Sequence, residues 1–378
     1  MIKDSKILCL SRAPLDYFGG IPAFCLNLYK NFGYKVTSYS YSIKKIKKTI
    51  NRKYEYINEY VFPSELTFGT FAISLRYFLK IIKNNKKFKY IHLQYPDPFS
   101  AAAVLISKLF NPKLKIYVTW HAEIYKTYYL ISPFLFIQDL IIFFVANKVI
   151  YFTPSHIKDS FLAKISFIKK KIVIIPNSID INYVKNFFKS KGNSNFLKEK
   201  NKVNLLSIGR LVEYKGYQYA IKSLVNLKED FLYNIIGEGP LKKELQNLIK
   251  ILNLENRVKL LGEISETEKF LKLNDADIFL FPSITTSEAY GLVQLEAMCF
   301  ELPIINTNLN NGVNFLAPPD VAITCQVRNI NDLTNGIKSL VENESLYQDK
   351  VSRIKNNLKR FSIEDMINAY KNIFKLEL

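Results

Sequence analysis

The stretch Asp277-Ile-Phe-Leu-Phe-Pro-Ser-Ile-Thr-Thr-Ser-Glu-Ala-Tyr-Gly-Leu-Val-Gln-Leu-Glu-Ala-Met-Cys-Phe-Glu-Leu-Pro-Ile-Ile305 decides the fold. It reads as a buried strand, a short polar loop, a glycine opening a helix, and a second apolar run. A helix beginning at Gly291 offers free backbone N–H groups and the positive end of its dipole to an anion. Two glutamates, Glu288 and Glu296, flank that start. Carboxylates repel phosphate but accept hydrogen bonds from hydroxyls, so the pair suits a ligand with a polyol on each side of a diphosphate, as in a nucleotide-sugar. Glu296 falls about five residues into this helix, roughly 7 Å from its start at the usual rise. Both glutamates could equally decorate a solvated helix, since acids near a helix start are stabilising in any case.

Outward from this stretch, strand-like runs recur between helical patterns. In the first half they are Lys6–Leu10, Lys35–Tyr39, Tyr90–Leu93, Lys115–Thr119, Val149–Phe152 and Lys171–Ile175. In the second they are Val203–Ile208, Leu232–Ile236, Val258–Leu261, Asp277–Phe281 and Pro303–Ile305. Such alternation predicts an α/β architecture with parallel sheets covered on both faces. At 378 residues the chain exceeds what a single core fills, so two doubly wound domains are expected. The polar stretch Lys185–Lys202 lacks periodicity and reads as the linker region. Ser362-Ile-Glu-Asp365 resembles a capping box before a last helix whose Met366, Tyr370 and Phe374 share a face.

Charge is unevenly spread. Residues 1–185 hold 28 Lys+Arg against 10 Asp+Glu and residues 186–378 hold 25 against 23, dividing the net +20 into +18 and +2. The basic half points to an acidic partner, an anionic bilayer or a nucleic acid. The clusters Ile43-Lys-Lys-Ile-Lys-Lys48 and Lys83-Asn-Asn-Lys-Lys-Phe-Lys89 mix cations with apolar residues, which favours a lipid surface, although ordinary solvated lysines remain a reading. Cys9, Cys25, Cys299 and Cys325 form no C-x-x-C pair, which points to a reducing cytoplasmic compartment. The apolar run Leu130–Phe152 is broken by Pro133, Gln138, Asp139, Asn147 and Lys148 and reads as a buried helix followed by a strand, not a membrane span.

In open parallel sheets ligands bind beyond the carboxyl ends of strands. Several candidates stand there. Gly209-Arg-Leu-Val-Glu-Tyr-Lys-Gly216 follows one strand, and Arg210 and Lys215 could neutralise a diphosphate leaving group or be loop cations without a ligand. Gly237-Glu238-Gly239-Pro240 is a tight turn into a helix, of ligand or packing use. Phe18-Gly19-Gly20-Ile21 lets backbone approach a ligand closely, or serves the turn alone. His121 follows Val118-Thr119-Trp120, a position that favours the cleft over a structural role. Pro176-Asn177-Ser178-Ile179-Asp180 is read as an inter-domain turn. Asp275-Ala276-Asp277 superficially resembles the D-x-D of metal-dependent sugar transferases, but Asp277 leads into a strand whose other end is the ligand side, so it is read as a decoy. With Arg210, Lys215 and a helix start supplying positive charge, no metal is required.

Taken jointly, Gly19-Gly20-Ile21, His121, the G-R-L-x-x-x-K-G from Gly209, the G-E-G-P from Gly237 and the Ser287-Glu-Ala-Tyr-Gly-Leu-Val-Gln-Leu-Glu-Ala297 segment resemble retaining glycosyltransferases of family 4, the group 1 type of the GT-B fold. The E-x7-E of Glu288 and Glu296 is the most specific element. Ser178, where that family often has glycine, and Ala122 after the histidine are departures. The resemblance implies two Rossmann-like domains facing each other across a cleft: 1–185 on the acceptor side, 186–360 binding the nucleotide-sugar, and a helix within 361–378 packing back toward the first. It implies roles for His121 beside the transferred sugar, Glu288 on that sugar, Glu296 on the ribose, and Arg210 and Lys215 on the diphosphate. Gly20, Gly209, Glu238, Tyr290, Gly291, Leu292 and Val293 join the donor-binding set.

The implied reaction moves a hexose-type sugar from an NDP-sugar to a glycan or polyprenyl-diphosphate-linked acceptor, with retention and no metal or other cofactor. It would run peripherally at the cytoplasmic membrane face, in surface polysaccharide (O-antigen, capsule or similar) synthesis. An NDP-sugar 2-epimerase of the same fold and a basic nucleic-acid-binding protein are the rival readings; no stacking motif accompanies the lysines, so nucleic acid is not an expected partner.

Overall fold

The computed structural model describes residues 3–17, 19–42, 44–68, 71–121, 132–160, 162–187, 202–228 and 230–376. Most of the expected linker therefore lies outside the described residues, as do Phe18, Ile43, Ala122 and the first two residues of the 130–152 run. The chain divides into two compact units, Met1–Asn177 with Ile363–Leu378, and Ser178–Ser362. The first division falls eight residues ahead of 185/186. The reason is local: the short helix Ile181–Lys185, capped by Asp180 whose carboxylate accepts from the Tyr183 N–H, packs on the helix Val293–Cys299 of the second unit. The linker expected from residue 185 thus begins inside an ordered helix.

Unit 1 contains β1 (Asp4–Ser11), β2 (Lys35–Tyr41), β3 (Ile50–Lys53), β4 (Ile57–Phe62), β5 (Leu66–Phe68), β6 (Phe71–Ile73), β7 (Tyr90–Tyr95), β8 (Lys115–Trp120), β9 (Lys148–Tyr151) and β10 (Ile172–Ile174). Eight of them form one sheet in the order β10-β9-β8-β7-β1-β2-β4-β3, parallel except for β3 against β4. The central strands are buried along most of their length, as sheets covered on both faces require, with His92, Gln94 and Thr119 among the buried residues. The β3–β4 extension and the β5–β6 hairpin are additions that the apolar pattern did not reveal. In β4 the run is interrupted by Glu59, which is fully buried because it accepts from the Leu15 N–H at 2.7 Å and from Arg52 Nη1 at 3.2 Å. The helix Ile363–Phe374 belongs to this unit: Tyr370 pairs its hydroxyl with Thr119 at 3.0 Å, and Phe374 packs edge-on to His92 and Tyr117.

Unit 2 contains β11 (Val203–Ile208), β12 (Phe231–Ile236), β13 (Val258–Gly262), β14 (Ile278–Phe281), β15 (Ile304–Thr307) and β16 (Ile323–Cys325). They form a wholly parallel sheet in the order β13-β12-β11-β14-β15-β16. The order in which successive strands are added reverses between β11 and β14, which makes the space beyond their carboxyl ends the switch point where doubly wound folds bind ligands. Its core is aliphatic, with Leu205, Ile235, Ile278, Leu280 and Ile305 at its centre.

Candidate active site

Residues that follow β11 and β14 converge at this switch point. Gly209 leaves β11 with φ +154°, and a Cβ there would lie 3.2 Å from Lys215 Nζ and 2.8 Å from the Tyr217 hydroxyl. The loop 209–216 therefore folds back so that Lys215 lies over its own beginning. Gly216 makes this possible: its φ is +69°, and a Cβ would sit 2.1 Å from the Pro282 carbonyl oxygen just after β14. Only a glycine allows the two post-strand segments to touch.

Lys215 is about nine-tenths buried and forms an ion pair with Glu288, itself nearly buried, while its ammonium sits 5.0 Å above the Phe281 ring. Glu288 is held by Ser283, whose hydroxyl donates to Oε2 at 3.1 Å, and by Asn311, whose amide donates to the Glu288 carbonyl at 2.7 Å. Ser283 is pinned in turn through its carbonyl, which accepts from Thr307 Oγ1 at the end of β15.

Arg210 is exposed on the same loop. Burial pushes the Tyr214 hydroxyl up; the charges of Lys215 and Arg210 draw it back and Glu288 reinforces the rise. The three charged side chains therefore act on one group.

The Glu288 loop turns into a helix through Gly291, φ +80°, where a Cβ would meet the Phe281 ring at 2.8 Å. The helix itself runs Val293–Cys299, two residues later than expected. Gln294 and Leu295 donate back to Gly291 and Leu292, whereas the amides of Leu292 and Val293 find no acceptor among the described residues. Glu296 is consequently in the first helical turn, not five residues in. Its Oε1 takes Lys269 Nζ at 2.8 Å and its Oε2 is buried without a hydrogen-bond partner among the described residues. Tyr290 is buried beside the turn.

Gly209, Lys215, Glu288 and Gly291 are thus drawn together around Phe281, with Arg210 close by. Glu238 is set apart: its carboxylate is exposed, pairs with Lys242 Nζ at 2.6 Å and lies over Gly262. What the 237–239 turn contributes is close backbone packing, since a Cβ on Gly237 would lie 2.1 Å from the Gly209 carbonyl oxygen and one on Gly239 would lie 2.4 Å from that of Leu211. Asp277 accepts from the Asn204 N–H at 2.9 Å at the amino end of β14, far along the strand from this cluster. Four contributors escaped sequence reading: Phe281, Ser283, Tyr217 and Lys269. Phe281 and Ser283 sit in the decisive stretch, yet read there as strand and loop filler.

Unit 1 presents its own post-strand residues. His121 follows β8; its Nε2 donates to Gln94 Oε1 at 2.9 Å and its ring meets Phe24 and Phe152 edge-on at 5.3 and 5.0 Å. Burial, then repulsion from His92, His156 and Arg12, pushes its pKa down to about 3, so the ring is neutral. Phe24 belongs to the helix Gly20–Lys30, which opens at Gly20. A Cβ on Gly20 would meet no atom within 4 Å, so packing does not demand the glycine there.

With the two sheets and the site in place, the chain has the GT-B fold of two doubly wound units, and its second unit is similar to group 1 glycosyltransferases. Residues 187–360 match the family model described as glycosyl transferases group 1. A glycosyltransferase of Haemophilus influenzae is 30% identical over 194 residues, 49% of this chain and 54% of that protein. An N-acetylgalactosamine-N,N'-diacetylbacillosaminyl-diphospho-undecaprenol 4-alpha-N-acetylgalactosaminyltransferase of Campylobacter jejuni is 31% identical over 51% of this chain and 50% of its own length. The chain thus spans about half the length of these curated relatives. Among solved structures, Anabaena HepE in complex with UDP superposes with a TM-score of 0.76 at 18% identity, covering 98% of this chain and 99% of that one. Sucrose-phosphate synthase of Thermosynechococcus elongatus gives 0.75 at 16%, covering 98% of both.

Proposed function

We propose that the protein is a retaining glycosyltransferase that moves a hexose-type sugar from an NDP-sugar to a glycan or polyprenyl-diphosphate-linked acceptor in surface polysaccharide synthesis, at the cytoplasmic face of the membrane. The observation that carries this is the buried Lys215–Glu288 pair at the unit 2 switch point, beside the amides of Leu292 and Val293, which find no acceptor among the described residues. A diphosphate there takes the ammonium and the helix-start amides. Glu288, losing its counter-ion, takes hydroxyls of the donor sugar, and Glu296 Oε2 takes the ribose. Arg210 completes the charge on the departing diphosphate, and the chemistry needs no divalent ion. The reading is supported by the UDP complex of HepE and by the lipid-linked substrate in the Campylobacter relative's name. The acceptor proton goes to the leaving phosphate on the same face, and neutral His121 offers a hydrogen bond to the sugar rather than a charge.

Thermal denaturation with a panel of NDP-sugars tests the donor, because a ligand that binds only the folded state raises its midpoint. Anomeric analysis of the product, with and without chelator, tests retention and metal independence. No shift with any nucleotide-sugar would refute the reading; conversion of the donor without an acceptor would point instead to a 2-epimerase.

A further inference from the structure

Three consecutive helices of unit 1, Leu75–Asn84, Pro98–Phe110 and Ser132–Val145, pack side by side and leave large apolar side chains in solvent. On the third, Phe134, Ile137, Ile141 and Phe144 are 77, 55, 43 and 66% exposed. Spacings of three, four and three residues put them on one stripe about 15 Å long. The opposite side, with Leu135, Ile142 and Phe143, is buried in the core. The neighbouring helices add Leu109 and Phe110 at 79 and 67%, and Leu75 and Leu79 at 56 and 54%. Single exposed apolar residues are ordinary; four in one stripe on a helix mark an interaction surface.

Charge identifies the occupant. Across these helices and their caps the carboxylates are Glu65, Asp97 and Asp139: Glu65 is exposed and accepts from the Leu75 N–H at 2.7 Å, whereas Asp97, which caps the helix Pro98–Phe110, and Asp139, which takes the Tyr95 hydroxyl, are buried. The cations Arg76, Lys80, Lys83 and Lys108 remain on the same helices. An apolar face with four cations against a single exposed acid is complementary to anionic headgroups over acyl chains. A second copy of this chain would set these cations against their own kind. No helix among the described residues is long and apolar enough to cross a membrane.

The two lysine-rich clusters fit less well. Lys44, Lys45, Lys47 and Lys48 lie exposed in a loop after β2, and Phe88 of the second cluster packs against Tyr39 and is directed into the unit.

We propose that this three-helix face, with the Phe134–Phe144 stripe at its edge, is the surface by which unit 1 lies on a bilayer carrying anionic lipid. The proposal rests on the membrane-face reading above. In the right-handed β–α–β path the helix after β8 begins near that strand's carboxyl end, so the Phe134 end of the stripe lies at the sheet edge where His121 stands. A surface-bound lipid-linked acceptor would thereby be presented at that edge.

The test is flotation of the full chain with vesicles of phosphatidylcholine, with and without phosphatidylglycerol. Binding is expected only to the anionic vesicles, weakening with salt. The exposed-residue variant F134S/I137S/F144S should fold as the parent does and lose about tenfold or more in vesicle partition, since three apolar anchors are removed. Phe144→Trp gives a second readout: its emission should move to the blue on vesicle addition, against the constant signal of the single native tryptophan, buried Trp120. Equal vesicle binding by the serine variant would overturn the proposal. So would a parent dimer that the variant dissolves while vesicle binding is absent, which would assign the face to a second copy. Nucleotide-sugar stabilisation does not depend on this surface, so failure here and failure of the transferase reading remain distinguishable.

Discussion

Replacing Lys215 tests the site most directly. Lys215→Met keeps the aliphatic stem that runs beneath Gly209 and over Phe281 but deletes the ammonium paired with Glu288. Breaking a buried ion pair from one side costs about 3–5 kcal/mol, because the remaining charge stays desolvated. The two side chains keep 11 and 10% of their exposure, and Ser283 still donates to Glu288, so the lower end, about 3 kcal/mol, is expected. For a unit of this size that lowers the thermal midpoint by roughly 6–12 °C. The double variant K215M/E288Q removes the stranded charge as well and should recover about 2 kcal/mol of the loss.

Binding is affected separately. Losing a charge-assisted contact to a diphosphate costs about 1.5–3 kcal/mol, or roughly 10- to 100-fold in UDP affinity. The double variant should not recover this, because the cation is still missing. Urea denaturation and calorimetric UDP titration of the parent and both variants give the stability and the affinity change for each variant. A wild-type midpoint and UDP affinity in Lys215→Met would refute the buried pair and its assignment to the diphosphate together.

Other outcomes follow from the same geometry. Gly216→Ala should destabilise unit 2 by about 2 kcal/mol or more, since its Cβ would collide with the Pro282 carbonyl at a left-handed φ, whereas Gly20→Ala, with open space around it, should leave the unfolding midpoint unchanged. Ser283→Ala should cost about 1 kcal/mol in stability and lower kcat/KM for transfer while leaving UDP affinity intact, because it orients Glu288 and not the cation; an unchanged kcat/KM would remove it from the site. His92 and His121 are both pushed from an ordinary 6.5 down to about 3 by burial. Their folded values lie below the unfolded ones, so the stability they contribute is present above 6.5 and is lost as pH falls toward 3. Urea midpoints measured across that window should decline more steeply in the parent than in His92→Gln, and equal slopes would contradict burial of the neutral ring.

Much of this is legible in the amino-acid sequence. Period and composition placed the central strands of both sheets, because those strands are buried on both faces and are dominated by apolar residues. Edge additions were less visible. The strand Ile57–Phe62 carries a buried glutamate that looks like a loop residue until its partners Leu15 and Arg52, 44 and 7 positions away, are known. At the site, residue types and their place after strands singled out Lys215, Glu288 and Gly291. Side-chain direction was not readable: Glu238 stands in a G-E-G-P turn that looks ligand-directed, yet its carboxylate turns to Lys242. The helix start was shifted for a related reason. Gly291 looks like the first helical residue, but its positive φ makes it the hinge before the helix, and Glu296 moves into the first turn.

These details change what the decisive stretch means physically. A lysine beside a nucleotide site suggests a cation waiting in solvent, but here it is already neutralised by a glutamate that the sequence assigns to a different part of the ligand. The two charges can be held out of water only because each satisfies the other, and the turn glycines 209, 216 and 291 close the backbone around them without room for side chains. A bare anion that took the lysine would leave the glutamate desolvated and unpaired, which is unfavourable by the same few kcal/mol that the pair contributes. A ligand carrying an anion and, at a fixed distance, a hydroxyl donor satisfies both at once. Under the proposed assignment, preference for an activated sugar over its leaving group alone is therefore built into the resting ion pair, and no further residue has to supply it.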